Sequence, residues 1–120
     1  MRAMGLVWLQ GMLHPRRLSD AALVGSILDM IERRTPEYYG AQIQAMLTRP
    51  DAAPLLTDIH CPTLLLCGEQ DAWSPADRHR QLAALIPGST LTIIEDCGHM
   101  STLEQPEAVT AALHRWLVEP

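Results

Sequence analysis

The spacing of apolar positions changes near Asp58, and the change separates two kinds of element. Before it, apolar residues recur at helical intervals. Residues 3–13 predict a helix that is apolar on most sides. Ser19 or Asp20 can cap a second helix running to about Arg33, with Leu23, Ile27, Met30 and Ile31 on one stripe. Thr35-Pro36-Glu37 places a hydroxyl at the N-cap and proline at the first helical position, which starts a third helix reaching about Leu47. Pro50 and Pro54 then break the pattern, leaving a short helix or turn through Leu55-Leu56. After Cys61-Pro62 the pattern becomes continuous apolar runs at 63–67 and 90–95, separated by a helix at 76–86. Ser74-Pro75 starts and caps that helix, and Pro87-Gly88 ends it. Gln105-Pro106-Glu107 opens a last helix to about 118, with Val109, Ala112, Leu113, Trp116 and Leu117 on one face. Strand, helix, strand predicts a parallel pair joined by a right-handed crossover. Runs this apolar are expected where both faces of a sheet are covered.

Each apolar run ends in a short polar turn: Cys67-Gly68-Glu69-Gln70-Asp71 after the first, Asp96-Cys97-Gly98-His99-Met100 after the second. Turns that follow neighbouring parallel strands emerge at the same sheet edge. A carboxylate and an imidazole delivered there can meet, and an acid–imidazole pair is the working half of many hydrolytic sites. Taken singly, Asp71 reads as a turn-forming or helix-capping acid and His99 as a hydrogen-bonded loop imidazole. Asp96 and His99 are three residues apart, a weak hint of a metal site. Cys67 and Cys97 read as buried packing thiols, and Glu104 as a brace for the turn or the following helix. Trp73 either lines a substrate pocket or plugs the core beneath Ser74. His14, His60, His79 and His114 lack ligand spacing. No Gly-x-Ser-x-Gly nucleophile turn occurs in the sequence, and Ser101 lacks the strained elbow that activates a serine.

Residues 62–117 resemble the C-terminal segment of α/β-hydrolase-fold enzymes of the small-esterase branch. The likeness is carried by Pro62 through Asp71, by Ile86-Pro87-Gly88, by Ile94 through His99, and by Leu103 through Val109. Residues 1–58 look more loosely like the helical cap that such enzymes insert before this segment. The resemblance implies that Asp71 corresponds to the triad acid and His99 to the triad base. It also implies a truncated fold of two parallel strands with flanking helices, in which the oxyanion loop, the serine elbow and most of the sheet are missing. The chain is therefore expected to divide into a helical cap-like segment, 1–58, and a C-terminal α/β-hydrolase-like segment, 59–120, forming one compact unit.

Charge and composition narrow the classes. The net charge is −5 and no basic run exceeds a pair, which argues against a nucleic-acid surface. Phe is absent, so Leu, Ile, Val, Ala and Met must fill the interior. Three cysteines without a Cys-x-x-Cys pair point to a reducing, cytoplasmic setting. The apolar start is interrupted by Gln10 and His14-Pro15-Arg16-Arg17 before it can serve as a signal peptide. Nothing approaches membrane-spanning length.

These features lead to an expected hydrolase of activated esters or phosphoesters. Asp71 and His99 would activate water directly or through a divalent metal such as zinc held by Asp71, Asp96 and His99, with Trp73 against a small-molecule substrate. The alternatives are a non-catalytic interaction module, or a fragment of a larger serine hydrolase whose nucleophile lies on another segment. Two parallel strands make a weak sheet on their own, and an uncovered edge invites pairing. A homodimer burying more than ~1,000 Å² is the expected cover. Sedimentation should show that dimer, and a stable folded monomer at micromolar concentration would refute it.

Overall fold

The computed structural model describes residues 1–118. Helices α1 (Arg2–Met12), α2 (Ala21–Glu32) and α3 (Pro36–Thr48) come first. The strand β1 (Leu64–Gly68), the crossover helix α4 (Ala76–Leu85) and the strand β2 (Thr90–Ile94) follow, and then the short α5 (Ser101–Glu104) and the terminal α6 (Pro106–Val118). Two 3-10 turns, Pro15–Ser19 and Ala53–Asp58, join the helical half internally and to β1. The strands pair in parallel, with Leu64 opposite Thr90 and Gly68 opposite Ile94. Helix α4 packs on both strands and α6 packs on β2.

Local signals account for the helix starts. The Asp20 carboxylate accepts the N–H groups of Ala22 and Leu23, and the Thr35 hydroxyl accepts that of Tyr38. Helix α4 departs from expectation. It begins after Pro75 with no side-chain cap, and the Ser74 N–H is taken by Asp71. Helix α1 crosses α2 over Val24, Ile27, Leu28 and Ile31. Met30, on the flank of that stripe, is left 39% exposed. The expected apolar face of α6 is only partly used: Val109 and Ala112 are buried, whereas Leu113 and Leu117 are exposed.

Apolar burial is divided between two small clusters. Leu9, Leu13, Ile27 and Leu28 form one, with Met100 packed against it. Ile94, Cys97 and Val109 form the other, with Leu66 packed against it. The leucines of β1, Leu64 to Leu66, are only half-buried. Among the described residues β1 has a single strand partner, so one edge of it stays open. The accessible surface is 8063 Å², against the roughly 6,500 Å² usual for a monomer of this mass. The radius of gyration, 16.1 Å, likewise exceeds the ~14 Å of a compact chain of this length.

The helical and strand halves meet at a tight backbone junction. A Cβ on Gly98 would lie 2.6 Å from the backbone nitrogen of His14 and 2.7 Å from Leu13 C and Met12 O. A Cβ on Gly68 would collide with the carbonyls of Gly98 and Cys97. Three backbone segments therefore share a space that only glycine leaves free. Gly25, inside α2, is different: a methyl group there would meet nothing within 4 Å. Gly98→Ala should lower stability by about 3 kcal/mol in urea titration, since backbone must move. Gly25→Ala should raise it by roughly 0.5–1 kcal/mol.

Candidate active site

Both polar turns are stitched together before either functional side chain is fixed. The Glu69 N–H donates to the Ile94 carbonyl at 2.8 Å, extending the ladder one step past the strands. The Gln70 N–H donates to Cys97 O at 2.8 Å, and its side-chain oxygen accepts the Cys97 N–H at 3.0 Å. Asp96 adopts a left-handed φ of +48°, a conformation that Asp tolerates better than most residues. The His99 N–H donates to Met12 O at 2.7 Å, which anchors the second turn to the end of α1.

Asp71 is 6% exposed, and both of its oxygens are engaged. Oδ1 accepts the N–H groups of Trp73 and Ser74 at 2.9 and 2.8 Å, closing an Asx-type turn. Oδ2 lies 2.8 Å from Nδ1 of His99. The turn-forming role and the pairing with His99 are thus carried out by one side chain. With Nδ1 donating to the carboxylate, the neutral ring keeps its lone pair on Nε2. The His99 side chain is 35% exposed, and Nε2 has no hydrogen-bond partner among the described residues. This nitrogen can accept a proton from a hydroxyl within hydrogen-bond reach.

Glu104 is the brace. Its carboxylate is 3% exposed and gathers three backbone N–H groups: His14 at 2.7 Å, Gly98 at 3.1 Å and Met100 at 3.2 Å. It ties the end of α1 to both sides of His99. Cys97 is fully buried. Burial, with the Glu104 and Asp71 carboxylates nearby, pushes its thiol up to about 11. Burial and then Asp71 raise Cys67 as well. These thiols stay protonated and act as packing, not as nucleophiles.

The metal-ligand set read from the sequence is not assembled within the chain. Among the described residues no group of three His, Cys, Asp or Glu side chains is arranged around a common point. Asp96 turns away from Asp71, with Oδ1 3.7 Å from His14 Nε2 and 3.6 Å from Arg16 Nη1. The left-handed backbone at Asp96 aims it there. Among the described residues no helix is long and apolar enough to cross a membrane.

Trp73 stands beside the pair, its ring 5.5 Å from that of His99. It also makes an edge contact with Trp8 at 5.4 Å, and Trp8 makes one with Tyr39 at 5.2 Å. These rings border an apolar cavity of about 280 Å³ between α1, α3 and Trp73. Trp8 is a site residue that sequence reasoning misses. Its one signal there is an aromatic on an apolar helix, and its contact with Trp73 joins opposite halves of the chain.

With this geometry established, comparison with known proteins is decisive. Residues 2–112 match the model of the Alpha/beta hydrolase family. The chain belongs to that family. Among curated relatives, it is 31% identical over 105 residues to the 2-hydroxy-6-oxononadienedioate/2-hydroxy-6-oxononatrienedioate hydrolase of Escherichia coli. That match takes in 86% of this chain and 36% of the relative. Among solved structures, a thermophilic esterase from Thermogutta terrifontis superposes with a TM-score of 0.90 at 34% identity, over 96% of this chain and 43% of that one. A serine hydrolase involved in carbazole degradation shares the fold at a TM-score of 0.76 and 22% identity, over 98% of this chain and 47% of that one. The chain thus spans less than half the length of these family members.

Replacing Glu104 by Gln turns one acceptor oxygen into a donor facing backbone N–H groups. We expect Glu104→Gln to cost about 2 kcal/mol, readable as a lower urea midpoint.

Proposed function

We propose that this chain carries the acid–base pair of a hydrolase acting on activated carboxylic esters. His99 is the general base and Asp71 the residue that orients it. The carrying observation is the 2.8 Å pair between Asp71 Oδ2 and His99 Nδ1, with Nε2 left open. Its place at the C-terminal edge of parallel strands, where ligands of open α/β sheets bind, supports the reading. Likeness to a named esterase supports the ester class.

In the first step Nε2 takes the proton of a hydroxyl as its oxygen attacks the ester carbonyl. The imidazolium that forms faces the Asp71 carboxylate, which stays ionised and stabilises it. As the tetrahedral species collapses, Nε2 returns the proton to the departing alkoxide. Trp73 stands beside the imidazole, its ring 5.5 Å from that of His99. The attacking hydroxyl is either water or a serine presented from outside the residues described. Coverage of only 36–43% of the relatives favours the serine version.

His99→Ala should abolish hydrolysis of a p-nitrophenyl ester, and full retention of activity in that variant would sink the assignment. Asp71→Asn should lower the rate by roughly 10²- to 10⁴-fold, since it loses the orienting charge but keeps the shape. Stoichiometric labelling by a serine-directed phosphonate would select serine as nucleophile; unlabelled but active protein would select water.

A further inference from the structure

Asp71 and His99 sit on separate turns, and their 2.8 Å contact requires those turns to be held in register. Most bonds made by the His99 turn lead elsewhere. Gly98 and Met100 donate to Glu104, and His99 donates to Met12 O. Gln105 Nε2 donates to the carbonyls of Glu95 and Asp96. The rung just past the strands, Glu69 N–H to Ile94 O, joins the two turns only at their base. Between that rung and the acid–imidazole contact, the bonds that cross from turn to turn among the described residues belong to Gln70. Its backbone N–H donates to Cys97 O at 2.8 Å, and its side-chain Oε1 accepts the Cys97 N–H at 3.0 Å.

Gln70 continues the sheet where the strands have stopped. The ladder ends with Gly68 opposite Ile94, yet Gln70 offers Cys97 both a donor and an acceptor, as a paired strand would. The other end of its amide is engaged too. Nε2 donates to Glu69 Oε2 at 2.8 Å, which leaves Oε1 to face Cys97. Gln70 immediately precedes Asp71, and Cys97 lies two residues before His99. A slip at this latch therefore passes to the Oδ2–Nδ1 separation with little chain to absorb it. We infer that Gln70 is a positioning residue, which sets the distance between acid and base by clamping one turn to the other. The inference rests on the reading of Asp71 and His99 as the acid–base pair and adds the residue that fixes their geometry. Position 70 must supply an acceptor to Cys97 at this side-chain length, and position 69 must complement the other end of the same group.

The proton on His99 Nδ1 reads the latch directly and without turnover. In protein carrying nitrogen-labelled histidine, its far-downfield resonance is identified by its loss in His99→Ala. The rate at which that proton exchanges with water measures how firmly the pair is closed. Gln70→Met keeps the length of the side chain and removes the acceptor. Exchange should then quicken about tenfold, the worth of one hydrogen bond. The paired variant Glu69→Gln/Gln70→Glu swaps the two ends of the side-chain contact at constant net charge and restores an acceptor at position 70. It should return exchange to the rate of the unsubstituted protein. Gln105→Met breaks the bonds on the outer side of the same turn, so it should lower the urea midpoint while exchange stays slow. Unchanged exchange in Gln70→Met, equal quickening in Gln105→Met, or no recovery in the paired variant would overturn the inference. Should Gln70→Met fail to fold, Gln70→Asn, a methylene too short to reach Cys97, decides on the same criterion. Absence of the resonance from the unsubstituted protein would overturn both the latch and the pair. Ester hydrolysis independent of His99, with the exchange rates as expected, would overturn the catalytic reading alone.

Discussion

A single buried carboxylate organises the region where chemistry is expected. Glu104 receives the backbone N–H groups of His14, Gly98 and Met100, groups that would otherwise be buried donors without partners. Each such donor costs on the order of 1–3 kcal/mol if left unsatisfied. The three belong to segments that have little else to hold them together: the exit of α1 and the two sides of the His99 turn. The bare approach of Gly98 to residues 12–14 follows from the same arrangement. Side chains cannot separate backbones that share one acceptor.

From that junction the geometry of the pair is inherited. His99 is held through its own N–H on Met12 O, and its ring meets Asp71 through Nδ1. Asp71 is held by the Trp73 and Ser74 amides, which also place Trp73 against the imidazole. A turn-forming acid and a histidine-orienting acid are often treated as rival readings. Here the two oxygens divide the work, and the Asx-type turn is what aims Oδ2.

The remainder of the molecule is loosely covered by comparison. Its two apolar clusters are small, the β1 leucines are half-buried, and the surface exceeds what its mass requires. Stability therefore rests heavily on backbone hydrogen bonds and on the Glu104 junction. The rings of Tyr39, Trp8 and Trp73 lie outside both clusters.

Much of this architecture follows from local rules that a sequence displays directly. Thr35-Pro36 starts α3 because a hydroxyl and a fixed φ act within one turn. The apolar runs become parallel strands because a helix lies between them and the crossover has one favoured hand. Strand-end turns on adjacent parallel strands open at one edge, and the family resemblance of those turns is what named Asp71 and His99. Tertiary structure decided whatever depended on direction. Asp96 lies three residues from His99, yet its carboxylate stands near His14 and Arg16, and its backbone is left-handed. Met30 fell outside the buried stripe because the crossing of α1 over α2, not helical periodicity, selects which flank is covered. Trp8 came beside the pair only when folding brought α1 to Trp73. No local pattern encodes contacts between residues so far apart in the chain.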